Sequence, residues 1–267
     1  LPVGEKLTNG RGTGGRVEIA EQAARMEEKA IRAMLEGSDL VIITATMGGG
    51  FGTGAAPVVA EIARDMGILS IGVVTMPFHF EMARKIQTAQ AGIAQMQGYT
   101  DAFITMRNDN LLKIAPDRNL SFVDAFSLAD EVLRQTVGCV AELILTTGII
   151  NVDFSDVTTI FRQSPSSDAL LAIGVDETPQ KAVRKAIESP LIDRDVTGAR
   201  GVVLNLTGDP AMSLRDVDEA VHYIHKTAHP EVNVIVGLVV QEKMAGSVQA
   251  TLIATDFDDS YVPASQG

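Results

Sequence analysis

Tryptophan is absent, cysteine occurs once, and aromatic residues make up only 4% of the 267-residue chain. A lone thiol, Cys139, excludes an internal disulfide and fits a reducing compartment. Basic residues are also scarce: 22 Lys and Arg stand against 34 Asp and Glu, a net charge of −12. That balance argues against a sequence-independent nucleic-acid binder and against a polybasic membrane anchor, both of which need a positive face. No apolar run approaches the ~18 residues of a membrane-spanning helix. A local anion site stays open, because backbone N–H groups bind phosphate without net positive charge. What is present is an ordinary globular composition, 46% hydrophobic and 21% charged, long enough for one large domain or two small ones.

Helix and strand periods alternate from the start. The spacing of Ile19, Ala23, Met26, Ala30 and Met34 predicts a helix over Val17–Leu35, closed by Gly37. Buried strands are expected at 40–45, 68–74 and 102–106, with helices at Ala55–Met66 and Glu81–Met96 between them. Continuous apolar strands alternating with helices predict a parallel sheet covered on both faces, an α/β arrangement. Ser121 and Asp124 open a long helix reaching about Leu145. Beyond it, strands near 169–175, 201–207, 233–241 and 247–255 interleave with helices at Pro179–Glu188 and Leu214–Ala228. The last two strands are joined by the short turn Lys243–Gly246 and are expected to run antiparallel, so the second region is α+β with a mixed four-stranded sheet. The expected division is a first domain at 1–120, a connecting helix at 121–147, a second domain at 148–256 and the head of a flexible linker at 257–267.

The first strand runs into Thr46-Met47-Gly48-Gly49-Gly50-Phe51-Gly52-Thr53-Gly54, and a helix follows at once. Five glycines in seven positions exceed the needs of a tight turn. At a strand-to-helix junction they allow close approach of an anion to the positive helix end. No lysine follows, so the stretch is not a P-loop. Gly50, Gly52 and Ala55 fit the dinucleotide pattern G-x-G-x-x-A, but Thr75-Met76-Pro77 supplies no ribose-binding acid after the next strand. Gly10, Gly12 and Gly15 repeat that pattern without a strand before them.

The run Gly48–Gly54 with Ala55-Ala56-Pro57 resembles the glycine signature G-G-G-T-G-[ST]-G of the tubulin/FtsZ family. Val58–Ala63, Pro77-Phe78-His79-Phe80-Glu81, Asn108–Leu112, Ala129–Leu133 and Gly198–Gly201 are similar to its bacterial FtsZ branch. The resemblance implies a tubulin-like fold, with a Rossmann-like GTPase domain, a long central helix and a second α+β domain. It also implies a GTPase that polymerises head to tail into the bacterial division ring, in the cytoplasm at midcell. GTP and GDP are then the ligands, with Mg2+. The partners are further copies of the chain, and division-ring proteins and membrane tethers bound through a C-terminal tail outside this sequence.

Residue by residue, the resemblance places Gly48, Gly49, Gly50, Phe51, Gly52, Thr53 and Gly54 against the phosphates. Gly12 and Gly14 fall in a γ-phosphate-sensing loop, Glu81 at the ribose, Lys85 near ribose and phosphates, and Asn108 and Asp130 at the guanine edge. A carboxylate suits guanine, since it accepts from both N1–H and the 2-amino group. Asn151, Asp153 and Asp156 resemble the catalytic loop N-x-D-F-x-D, whose acids polarise the attacking water on the nucleotide of the next subunit. On their own, two acids three apart at a helix start read as groups that cap the helix and favour its dipole. No dedicated metal cluster is expected.

Several positions depart from the family pattern. Phe51 replaces a small hydroxyl residue, Met76 a common lysine and Lys85 an arginine, and the Gly10–Arg16 loop lacks the family's proline. Phe51 and Lys85 leave open a non-hydrolysing, filament-binding paralogue, and a dinucleotide-dependent oxidoreductase is the weaker alternative. The family's opening strand, first phosphate loop, helix and second strand have no counterpart before Leu1, so the chain is expected to be an N-terminally incomplete piece of a longer one.

Overall fold

The computed structural model describes residues 2–114, 120–164 and 166–261, which fall into two compact units, Leu1–Leu133 and Arg134–Gly267. The first unit opens with α1 (Glu5–Thr8), α2 (Val17–Met26) and α3 (Glu28–Leu35). The single helix expected over Val17–Leu35 is therefore two, parted at Glu27 with φ −100° and ψ 14°. No glycine or proline marks that break in the sequence. Then follow β1 (Leu40–Thr46), α4 (Gly50–Asp65), β2 (Leu69–Met76), a 3-10 turn at His79–Glu81, α5 (Ala83–Gln97), β3 (Ala102–Arg107) and α6 (Asn108–Ile114). A long helix, α7 (Phe122–Leu145), carries the chain on, and the division between the units falls inside it.

β1 pairs parallel with β2 from Leu40↔Leu69 to Thr46↔Thr75, and β2 with β3 from Ile71↔Ala102 to Met76↔Arg107. Every residue of β2 is buried, as a strand covered on both faces requires. Ile43, Met47, Ala56, Val74, Met96 and Phe103 pack in one cluster, and Ala24, Ile31, Val58 and Ile62 in another. Parallel strands in register end together. The segments after β1, β2 and β3 therefore leave the sheet along one edge, where open α/β sheets take their ligands.

The second unit holds α8 (Phe154–Gln163), β4 (Asp168–Asp176), α9 (Pro179–Ile187), β5 (Ala199–Gly208), α10 (Leu214–Thr227), β6 (Asn233–Val240), a 3-10 turn at Glu242–Met244 and β7 (Val248–Phe257). The sheet is mixed, as expected: β7 is antiparallel to both β4 and β5, and β5 is parallel to β6. β6 and β7 run in opposite directions but do not form a hairpin, because β5 lies between them. The burial pattern gives the reason. β5 is buried at most positions along its length, whereas β6 is mostly half-buried and belongs at an edge. Ala182, Val183 and Ala186 of α9 and Val217, Ala220 and Ile224 of α10 pack on Val202, Leu204, Leu206 and Leu252. Thr178 and Ser213 cap these helices, accepting from Lys181 N and Asp216 N.

Residues 258–261, expected at the head of a linker, are tied to this unit. Asp258 N donates to Gly198 O at 2.9 Å, Arg200 reaches Asp258 at 2.7 Å, and Tyr261 lies edge-on to His229. The last six residues of the expected linker lie outside the described residues.

A candidate nucleotide site and an acid loop

The glycine-rich stretch is less a loop than the start of a helix. After β1 the chain turns at Met47–Gly49, with Gly48 at φ 92°, and α4 begins at Gly50, five residues before the expected Ala55. Gly50, Phe51, Gly52, Thr53 and Gly54 thus stand in its first turns. Close packing explains why glycine is needed there. A Cβ on Gly50 would collide with Thr13 Oγ1 and lie 3.0 Å from Arg16 N, and a Cβ on Gly54 would collide with Val17 O. On Gly52 it would strike Thr46 O. Gly49, the N-cap residue, provides no side-chain cap, so the N–H groups at the start of α4 carry the helix's positive end uncovered by any capping side chain.

Thr53 is buried, and its hydroxyl accepts from Gly48 N at 2.9 Å. It fastens the turn rather than facing solvent. Phe51, by contrast, is 44% exposed.

The second wall comes from the Gly10–Arg16 loop, in which Gly12 and Gly14 have φ 72° and 59°. Thr13 is buried, its carbonyl accepting from Arg16 N, and its hydroxyl lies where a Gly50 side chain would be. Two glycine segments far apart in sequence are therefore in contact.

The third wall follows β2 and β3. Glu81 accepts from Phe78 N at 2.9 Å through one carboxylate oxygen and pairs with Lys85 Nζ through the other. The Lys85 stem lies on the glycine turn: a Cβ on Gly48 would be 2.8 Å from Lys85 Cγ. Asn108 opens α6 and is buried, and its Oδ1 has no hydrogen-bond partner among the described residues. A buried carbonyl without a donor is costly, and a bound donor would relieve it. The adjacent Asp109 accepts from His79 N at 3.0 Å, tying Asn108's helix to the turn that carries Glu81.

An aromatic cluster, which the sequence reading missed, joins this wall to α7. Phe78 stacks on Phe80 at 5.1 Å, Phe126 meets Phe78 edge-on at 5.4 Å, and Phe122 meets Phe80 at 5.3 Å. Four of the chain's nine phenylalanines gather here, a signal available from their i,i+2 and i,i+4 spacing. Asp130 is exposed and lies one turn beyond Phe126 on the same helical face. The first unit thus offers an uncapped helix start for an anion, carboxylate and amide acceptors for hydroxyl and N–H donors, and a half-exposed ring, Phe126, for a base to stack on. Among the described residues no three His, Cys, Asp or Glu side chains converge as a metal site.

The second unit carries the acid loop. An isolated antiparallel bridge, Ile150↔Leu238, holds it to β6, with Ile149 N donating to Leu238 O at 2.7 Å. Val152 is buried against Gly237, and Val157, Ile160 and Phe161 bury one side of α8. Asn151, Asp153 and Asp156 between these anchors are all exposed. Asn151 Oδ1 accepts from Gly148 N at 2.6 Å, bracing the turn. Asp153 is the N-cap of α8, accepting from Ser155 N at 2.9 Å, so the simple capping role is realised in it. Asp156 stands in the first turn, its backbone N–H bonded to Asp153 O.

Comparisons with known proteins agree on the family. Residues 1–116 match the GTPase domain of the tubulin/FtsZ family, and residues 168–258 match the FtsZ family C-terminal domain. Among solved structures, the chain is 36% identical to an empty FtsZ dimer from M. jannaschii, with a TM-score of 0.87 over 95% of this chain and 74% of that one. A mutant of that FtsZ is 35% identical, with a TM-score of 0.88 over 99% of this chain and 80% of the other. CetZ2 from Haloferax volcanii, solved as a GTPγS-bound protofilament, shares the fold at 18% identity, with a TM-score of 0.80 covering 97% of this chain and 79% of that chain. The match to a GTPase domain sets aside the dinucleotide reading of Gly50, Gly52 and Ala55.

Proposed function

This chain belongs to the tubulin/FtsZ family of GTPases, and from that premise we propose that it binds GTP and GDP and hydrolyses GTP where two copies meet head to tail. In this reading its filaments build the bacterial cell-division ring in the cytoplasm at midcell, where division proteins and membrane tethers join them. The observation that carries the reading is the convergence of Gly50 with Thr13 and Arg16 beside the uncapped start of α4. The triphosphate lies there, Glu81 accepts from the ribose hydroxyls, and Asn108 Oδ1 and Asp130 accept from the guanine edge. Mg2+ arrives with the nucleotide as its counter-ion.

Asp153 and Asp156 of the next copy then hold and polarise a water. Its oxygen forms a bond to the terminal phosphorus as the bridging P–O bond breaks, leaving GDP and phosphate. Relatives solved as a dimer and as a protofilament support assembly from like copies. A contact between different faces of identical copies propagates as an open filament.

Mixing mutants tests this. Asp156→Ala should bind GTP nearly as the parent does, while turnover falls ~100-fold or more, the scale of a positioned acid–base group. Asp130→Ala should lose GTP. Each alone should be slow, and mixed filaments should regain activity where a sound acid loop meets a sound pocket. Turnover per site independent of protein concentration, with nothing restored by mixing, would refute the trans arrangement. A second reading, a filament-binding paralogue without turnover, draws on Phe51, which brings no hydroxyl to the first turn of α4. It predicts GTP binding with no phosphate release at any concentration.

A further inference from the structure

Arg16 ends the glycine loop and is the N-cap residue of α2. Its backbone nitrogen lies 3.0 Å from where a Gly50 Cβ would be, so it stands at the start of α4. Its side chain turns back over the loop, Nε donating to Thr13 O at 3.4 Å, and Thr13 is the residue packed beneath Gly50. The two terminal nitrogens of the guanidinium remain beyond that bond. Arg16 is exposed and makes no ion pair among the described residues. Arg25 on α2 reaches both Glu21 and Glu61, and Arg32 on α3 reaches both Glu28 and Asp65. The Arg16 backbone lies against the positive end of α4, and its guanidinium, without a carboxylate among the described residues, is within a side chain's length of that end; an anion shared by the two makes the arrangement favourable. Phe51 supplies no donor in the same first turn.

We infer that Arg16 is a phosphate-binding residue of this site, that it donates through its planar fork to the terminal phosphate of the nucleoside triphosphate, and that it supplies from within the same chain the donor that Phe51 lacks. The inference rests on the nucleotide reading above. Charge gathers on the terminal phosphoryl oxygens during transfer, so the same contact lowers the barrier to hydrolysis. Loss of a hydrogen-bonded charge on a phosphate corresponds to a ~10- to 100-fold change in affinity.

The test compares fluorescent GTP and GDP binding to the intact protein, diluted below assembly, for the parent, Arg16→Ala, Arg16→Lys and Arg25→Ala. Arg16→Ala should weaken GTP by ~10-fold or more and GDP by less than about twofold. Arg16→Lys should recover part of the loss, since it keeps the charge but not the fork. Arg25→Ala removes the same charge from the same helix and should leave the GTP-to-GDP ratio unchanged. Thermal melts of the free proteins report whether Arg16→Ala still folds, and Arg16→Lys carries the test if it does not. An unchanged ratio in both Arg16 variants overturns the role of Arg16 and leaves the nucleotide reading standing. A parent protein that binds neither nucleotide overturns that reading, and this inference with it.

Discussion

The pocket of the first unit and the acid loop of the second are built on opposite plans. Around the pocket, glycine backbone is packed too closely for a side chain: Gly50 on the Thr13 hydroxyl and the Arg16 backbone, Gly54 on the Val17 backbone, Gly48 on the stem and backbone of Lys85. Two of its polar groups, Thr53 and Asn108, are buried. In the acid loop the anchors are apolar side chains and one bridge to β6, while Asn151, Asp153 and Asp156 stand in solvent. A pocket that grips a ligand from several sides must fix its walls before the ligand arrives. A loop that acts on a ligand held elsewhere needs only to present its carboxylates. Mutations in the pocket should therefore damage folding and binding together, and mutations in the loop should separate chemistry from folding.

The largest expected effect tests the first half of that contrast. Gly50→Ala places a methyl group where Thr13 Oγ1 already lies, with backbone at 3.0 Å behind it. Overpacking of this kind costs about 2–3 kcal/mol, and the displaced loop should take GTP binding with it. Thr13→Ala removes the nearest atom, so the double mutant should be more stable than the sum of the two changes implies. Gly12→Ala meets open space at φ 72° and should cost only the ~1–2 kcal/mol of a left-handed residue. Denaturant melts of the four proteins decide it, and equal losses for Gly50→Ala and Gly12→Ala would break the contrast.

These contacts also mark where the sequence stopped being readable. The parallel order of β1, β2 and β3 was legible, because apolar strands alternating with helices admit few other arrangements. So was the mixed sheet of the second unit. The helical start at Gly50 was not, since glycine is a poor helix former and only contact with Thr13 and Val17 makes it the residue that fits. The break at Glu27 has no local signal. The insertion of β5 between β6 and β7 is decided by burial across the whole sheet, which a short turn at Lys243–Gly246 cannot report. Within the site, the motif residues were visible as types in order, whereas the inward turn of Thr53 and the unpartnered oxygen of Asn108 depend on neighbours distant in sequence.

Asn108 gives a sharper form of the same comparison, with a smaller effect. In the free protein its buried Oδ1 has no partner among the described residues, a condition worth about 1–3 kcal/mol against stability. Asn108→Leu, close in volume, should therefore leave the free protein as stable as the parent or about 1 kcal/mol more so, while guanine affinity falls ~10-fold or more. Melts with and without GTP measure both quantities. A variant that is destabilised without ligand would mean that Asn108 serves the fold, and the pocket would lose its claim to a group held ready for a donor.

The smallest effect lies in the acid loop, where Asp153 has two separable duties. Its side chain accepts from Ser155 N and caps α8, and its charge is part of the pair that is proposed to act on the neighbouring copy's GTP. Asparagine caps as well as aspartate, so Asp153→Asn should melt with the parent, whereas Asp153→Ala should lose about 1 kcal/mol. Both should turn over GTP slowly, because neither retains the carboxylate. If Asp153→Asn kept parental turnover, capping would be the whole role of that residue and Asp156 would carry the chemistry alone. If instead Asp153→Ala and Asp153→Asn were equally unstable, the 2.9 Å bond to Ser155 would not be what holds the start of α8, and the burial of Val157, Ile160 and Phe161 would be sufficient to set it.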